Sequence, residues 1–269
     1  MKGRTELKNK KRIVVKVGSS TLTHKNTGRI NLLKMEKLVR ILTDLHNSGK
    51  DVILVSSGAI AAGRDVLGLK KRPKETSEKQ ACAAVGQARL MMIYQRLFNE
   101  YHMNTAQVLM TKYTVEDEVS KKNAINTFAE LLKYGVIPVV NENDTVATDE
   151  IDFGDNDSLS AIVATLTGAD LLVLLSDIDG LYTDNPKDNP DAELISDVTE
   201  LTEEIFSMGK GAGSDVGTGG MATKLNAAKI ATDSGADMMI INGEDVTVLS
   251  DALEGKNIGT MFHAKMKKR

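Results

Sequence analysis

Gly168-Ala169-Asp170-Leu171-Leu172-Val173-Leu174-Leu175-Ser176-Asp177 is the stretch on which the fold turns. A strand with one wet face alternates apolar and polar residues. A strand that is apolar at every position, as Leu171 to Leu175 is, must be covered on both faces, which is the habit of parallel sheets. Just upstream, Ser158 to Thr167 has helical character and is broken at Gly168. Helix followed by buried strand is the unit of an α/β protein.

The rest of the chain repeats that unit. Ile13-Val14-Val15-Lys16-Val17 reads as a short strand that runs out into Gly18-Ser19-Ser20. Leu38, Ile41, Leu42 and Leu45 fall at i, i+3, i+4 and i+7 of a helix closed by Gly49. Asp51 to Val55 is the next strand; it ends in Ser56-Ser57-Gly58, and a helix starts near Ala59. A long helical stretch from Glu78 to Tyr101 leads into strand Ala106 to Met110. Another helix, Asn123 to Tyr134, stops at Gly135 and gives way to Val136-Ile137-Pro138-Val139-Val140. Beyond the opening stretch, helix Met221 to Ser234 is stopped by Gly235 and followed by strand Met238 to Ile241. No composition shift, Pro-rich linker, low-complexity tract or internal repeat divides the chain. The expectation is one continuous α/β domain, a central and mostly parallel sheet sandwiched between helices.

Composition narrows the function classes. At 269 residues, 41% hydrophobic and 26% charged, the chain can bury a proper core and does not read as disordered. The 34 Lys+Arg against 37 Asp+Glu leave a formal charge of −3, which argues against a nucleic-acid partner. The longest apolar run is far short of the ~20 residues that span a bilayer. Ile13-Val14-Val15, after the basic N-terminus, is cut by Lys16 and does not read as a signal peptide. A cytoplasmic protein with no membrane partner is expected. The basic arm (Lys2, Arg4, Lys8, Lys10, Lys11, Arg12) and the tail Lys265-Met266-Lys267-Lys268-Arg269 read as solvated ends. Cys82, the single cysteine, sits in Gln80-Ala81-Cys82-Ala83-Ala84 and reads as a small core residue rather than a nucleophile.

In open α/β sheets ligands bind beyond the carboxyl ends of the strands, so the strand exits are where chemistry is sought. Lys16 is costly inside a strand of valines unless its ammonium finds a partner at the strand end; the alternative is a solvated edge strand. Gly18 allows turn N–H groups to approach an anion. Ser56-Ser57-Gly58 puts hydroxyls and N–H groups at a helix start, which suits an anion and equally suits plain N-capping. Asn141-Glu142-Asn143-Asp144 and Gly154-Asp155-Asn156-Asp157 are richer in polar groups than a turn or a single helix cap needs. Such side chains can hold an ammonium and orient lysines, or form a solvated loop. Gly209 to Gly213, followed by Gly217-Thr218-Gly219-Gly220-Met221-Ala222-Thr223-Lys224, is neither a Walker A sequence nor a dinucleotide fingerprint. A glycine loop ending in a helix N-terminus and a lysine fits a triphosphate, with a flexible linker as the other reading.

Taken in order and spacing, these motifs, with Asp179-Gly180-Leu181-Tyr182-Thr183, resemble the amino acid kinase superfamily and within it the glutamate 5-kinase family. The resemblance runs from Ile13 to His263. It implies the three-layer amino acid kinase (carbamate kinase-like) fold, and a division into a basic arm (1–12), a kinase domain (13–263) and a basic tail (264–269), without the C-terminal PUA domain that many family members carry. It implies that ATP phosphorylates the side-chain carboxylate of L-glutamate, with Mg²⁺ on the nucleotide and no metal-ligating protein residues assigned. Lys16 and Lys224 look like the phosphate-binding lysines, and Asp157 like the carboxylate that holds them. Ser57, Asp144 and Asn156 match positions that grip glutamate. Ser176 and Asp177, with Thr218, Gly219, Gly220, Met221, Ala222, Thr223 and Lys224, match ATP-binding positions. Ser176 stands where Thr is common, and Ala222 where Ser is. A homo-oligomer, proline as feedback inhibitor and a glutamyl-phosphate reductase as partner are implied in the same way.

Overall fold

The computed structural model describes residues 2–146, 156–209 and 220–265. Among the described residues eight strands form one sheet: β1 (Arg12–Val17), β2 (Asp51–Ser56), β3 (Thr105–Met110), β4 (Ile137–Glu142), β5 (Leu171–Ser176), β6 (Asp197–Val198), β7 (Asp237–Asn242) and β8 (Thr260–Phe262). Their order is β3-β4-β2-β1-β5-β7-β8-β6. All pairings are parallel except β7 with β8. The principal helices are α1 (Leu32–Asn47), α2 (Ala59–Val66), α3 (Thr76–Asn99), α4 (Glu118–Lys133), α5 (Asn156–Thr167) and α6 (Met221–Ser234).

The side-chain alternation of β1 shows the layering. Ile13, Val15 and Val17 pack with Leu38 and Leu42 of α1 and Leu90, Tyr94 and Phe98 of α3. Val14 joins the opposite core, with Leu159 and Val163 of α5 and Leu225 and Ala228 of α6. Successive strand residues point to opposite faces, so Lys16 shares the face of Val14, the side covered by α5 and α6. It is also paired on both sides, with Val55 of β2 and Leu174 of β5. The edge-strand reading of Lys16 therefore falls. Strand β1 lies next to the place where the strand order reverses, so the crevice rule directs a ligand to the ends of β1, β2 and β5.

One expectation needs correction. The basic arm is not solvated throughout: Leu7 is fully buried in the core and Arg4 is 4% exposed, while Lys8 and Lys11 are exposed as expected. The Arg4 guanidinium donates to the carbonyls of Ser196, Ile258 and Gly259 and lies 3.7 Å from Asp197. At the tail, Ala264 N–H donates to Asp237, and Lys265 is exposed with a surface ion pair to Asp233; residues 266–269 lie outside the described ones. Strands β6 and β8, of two and three residues, are too short to show a periodicity in sequence. Cys82 is buried in α3, as read from its neighbours. Among the described residues no helix is long and apolar enough to cross a membrane.

Candidate active site

Lys16 ends its strand with its Nζ 2.6 Å from Asp157 Oδ1. Lys224, in the first turn of α6, approaches the other oxygen, Oδ2, at 3.0 Å. Asp157 has no exposed surface, and both lysines are less than a tenth exposed. Three charges this deep are costly unless each is paired, and here one carboxylate serves two ammonium groups. The cluster keeps a net positive charge, which favours an anion arriving in front of it. Asp157 is further held through its backbone carbonyl, which accepts from Ser160 Oγ at 2.6 Å. Thr223 Oγ1 bridges Gly220 O at 2.8 Å and Asp157 Oδ2 at 3.4 Å.

Gly18, one residue past β1, has a φ of −79°, open to any residue. What the glycine keeps clear is space: a Cβ there would project to 3.7 Å from Lys16 Nζ. Gly220, at the N-cap of α6, makes no side-chain cap, and the positive end of that helix suits an anion.

The second exit does not work as a helix cap. Gly58, with φ of 106°, occupies the N-cap of α2, where no side chain caps. Ser57 Oγ instead accepts from Asn156 Nδ2 at 2.7 Å. The same Nδ2 donates to Asn141 Oδ1 at 2.9 Å, and Asn141 Nδ2 donates to Gln87 Oε1 at 2.9 Å. Ser56 Oγ, fully buried, lies 2.8 Å from the Tyr94 hydroxyl, whose pKa is pushed up by burial. Asp144 is half-buried on the wall of a cavity of about 270 Å³, shared with Gln87, Gln107, Glu142, Asn143 and Thr145.

Sequence-predicted positions thus fall in groups. Lys16, Asp157, Lys224 and Thr223 meet directly; Ser57 and Asn156 meet beside them, Asn156 being the neighbour of Asp157 in α5. Ser176, 7% exposed, ends β5 next to β1 and donates to Asp177, which is exposed. Met221 is buried and Ala222 exposed on α6. Thr218 and Gly219, like Gly154 and Asp155, lie outside the described residues. Gln87 and Tyr94 were not singled out in sequence. The available signal was a lone glutamine in an Ala/Gly run, Ala83-Ala84-Val85-Gly86-Gln87-Ala88, at i−3 and i−7 from buried Leu90 and Tyr94.

Lysines and glycine turns at the mouth of a parallel sheet, beside an amide-lined cavity, define a phosphotransferase of the amino-acid kinase type. A model of the amino acid kinase family matches residues 11–242, and the chain belongs to that family. Within it the chain falls among the glutamate 5-kinases. It is 54% identical to the glutamate 5-kinase of Clostridium perfringens, over 97% of this chain and 98% of that one. It is 57% identical to that of Clostridium tetani, over 96% of each. The glutamate 5-kinase of Carboxydothermus hydrogenoformans is 55% identical over 98% of this chain and 70% of its own length. Among solved structures, a carbamate kinase from Giardia lamblia bound to AMP-PNP superposes with TM-score 0.66 at 14% identity, covering 95% of this chain and 99% of that one. A Thermoplasma acidophilum isopentenyl phosphate kinase does so with TM-score 0.60 at 20% identity, covering 94% and 100%. These two support the fold alone.

Proposed function

We propose that this chain transfers the γ-phosphoryl group of ATP to the side-chain carboxylate of L-glutamate, giving L-glutamyl 5-phosphate and ADP. The observation that carries the mechanism is the Lys16–Asp157–Lys224 cluster. A carboxylate is already ionised at neutral pH, so its oxygen attacks phosphorus without a general base, and the bond from phosphorus to the β-phosphate oxygen breaks with ADP as leaving group. What remains for the protein is alignment and neutralisation of charge on the equatorial oxygens. Lys16 and Lys224 supply that charge from two elements, and Asp157 holds both in place. Ser57, Asp144 and Asn156 hold the glutamate. Ser176, Asp177 and the 218–224 segment hold the nucleotide.

Among the described residues no three acidic, histidine or cysteine side chains gather as a metal cage, and both Asp157 oxygens face lysines. That suits a Mg²⁺ carried by nucleotide phosphates and water, which supplies further charge neutralisation when bound. Family membership also supports a first step of proline biosynthesis in the cytoplasm, carried by residues 13–263, with a homo-oligomer and proline as feedback inhibitor. The lability of an acyl phosphate favours hand-over to a glutamyl-phosphate reductase. The test is turnover of ATP with L-glutamate, trapping the acyl phosphate as hydroxamate with hydroxylamine. Hydroxamate from aspartate or N-acetylglutamate in preference to glutamate, or ADP release only with UMP, overturns the substrate.

A further inference from the structure

The amides behind Ser57 form a directed chain, and its direction begins at a residue outside the assigned site. Gln87, 8% exposed on α3, presents Oε1 to Asn141 Nδ2. A carboxamide carries its acceptor and its donors on opposite sides. With its nitrogen turned to Gln87, Asn141 must turn its oxygen to Asn156, and that oxygen accepts from Asn156 Nδ2. The second hydrogen on Asn156 Nδ2 goes to Ser57 Oγ. Both Asn156 donors are then used inside the wall, so Oδ1 remains as an acceptor. Ser57, having accepted, keeps its own hydrogen to donate. The wall therefore offers one carbonyl acceptor and one hydroxyl donor, the complement of an ammonium and a carboxylate on one carbon. Reversing Gln87 would reverse each link in turn.

Packing does not account for a glutamine here. Its Nε2 is buried with no hydrogen-bond partner among the described residues. An unmet buried donor costs about 1–3 kcal/mol, and a methionine of similar length would fill the space without it. We propose that Gln87 is a positioning residue for the amino-acid substrate. Acting through Asn141 and Asn156, it sets the polarity of the wall and so favours a substrate that bears an α-ammonium over its deaminated counterpart. This rests on the reading that glutamate binds at Ser57 and Asn156.

The test compares wild type, Gln87→Met and Gln87→Glu by hydroxamate trapping, measuring KM for glutamate and for ATP, and the inhibition constant of glutarate. Gln87→Met should raise the glutamate KM about tenfold, the scale of one net hydrogen bond, with kcat and the ATP KM within about twofold. The preference for glutamate over glutarate should shrink by a similar factor. Gln87→Glu, whose carboxyl group accepts from Asn141 in either protonation state, should keep that preference. In an Asn141→Ala background Gln87→Met should add nothing, because residues acting through one chain are not additive. An undiminished preference in Gln87→Met overturns the proposal, as does a full effect persisting in the Asn141→Ala background. Wild type that forms hydroxamate while Gln87→Met keeps its preference sinks this inference alone; wild type that forms none takes the substrate reading down with it.

Discussion

Lys16 and Asp157, brought together from β1 and the start of α5, meet at 2.6 Å with the carboxylate wholly out of water. Lys224 shares that carboxylate, so its removal strands two buried ammonium groups. Breaking a buried pair in this way costs about 3–5 kcal/mol. Asp157→Asn should accordingly lower Tm and kcat together. Added ATP should recover part of the lost Tm, since its phosphates offer the lysines another anion. Thermal denaturation with and without nucleotide checks this; a variant melting with wild type would show that the carboxylate does not hold the lysines.

The lysines themselves are tested separately. Lys16→Ala and Lys224→Ala should each lower kcat by about 10²–10³-fold, the scale of losing one preorganised electrostatic group. Initial rates on variants shown by circular dichroism to be folded are the measurement. Near-normal kcat in either one removes that lysine from the mechanism.

Asn156→Ala and Asp144→Ala test the proposed acceptor side. On the proposed assignment both should raise the glutamate KM with the ATP KM little changed, as expected for losing ground-state contacts on the acceptor side only. Steady-state kinetics with each substrate varied in turn decides it, and an unchanged glutamate KM in both variants would move the acceptor site elsewhere.

The six longer strands were legible within one or two residues because each centres on apolar residues and ends at a glycine or a polar exit. Lys16 was legible for the same reason: a charge in such a run calls for a partner. Its partner could not be read from periodicity, since β1 and α5 lie far apart in the chain and meet only once it is folded. Ser57 misleads locally, because a serine before a helix looks like a cap until the folded chain puts Gly58 at that place. Gln87 was hidden by its surroundings, a local run of small residues from Ala81 to Ala88 in which a glutamine gains meaning only when Asn141 arrives from β4. Arg4 looked like one more charge in a basic arm, and only the carbonyls of the β6 and β8 region show why it is buried.

The packing of α2 on α3 fixes where Gln87 stands. A Cβ at Gly86 would fall 1.8 Å from the carbonyl oxygen of Ala59, and one at Gly63 would fall 1.8 Å from that of Cys82. Backbone atoms cannot yield as a flexible side chain does, so the helices would have to part. Gly86→Ala should cost about 1–3 kcal/mol or more, read as a lower midpoint in urea. It should also raise the glutamate KM, since Gln87 moves with its helix. A midpoint matching wild type would show that the crossing relaxes freely.

Asp197 ties the N-terminal arm to the far edge of the sheet, and its ionisation makes that tie depend on pH. Burial alone would raise its pKa, but hydrogen bonds from Ser196 and His263 and the Arg4 charge outweigh burial and hold the carboxyl below its usual value. A carboxylate with a depressed pKa in the folded state adds stability that is complete above the unfolded value of about 3.9 and is lost as pH falls through the folded one. Asp197→Asn lacks that contribution at every pH. Its Tm should lie below that of wild type at neutral pH, and the gap should stay nearly constant down to about pH 5 and then close as the medium turns more acid. Melting curves of both proteins across this range are the measurement. No gap at neutral pH would mean that the arm is held by the Arg4 carbonyl contacts alone, and a gap that persists undiminished in acid would mean that the loss does not come from the ionised carboxylate.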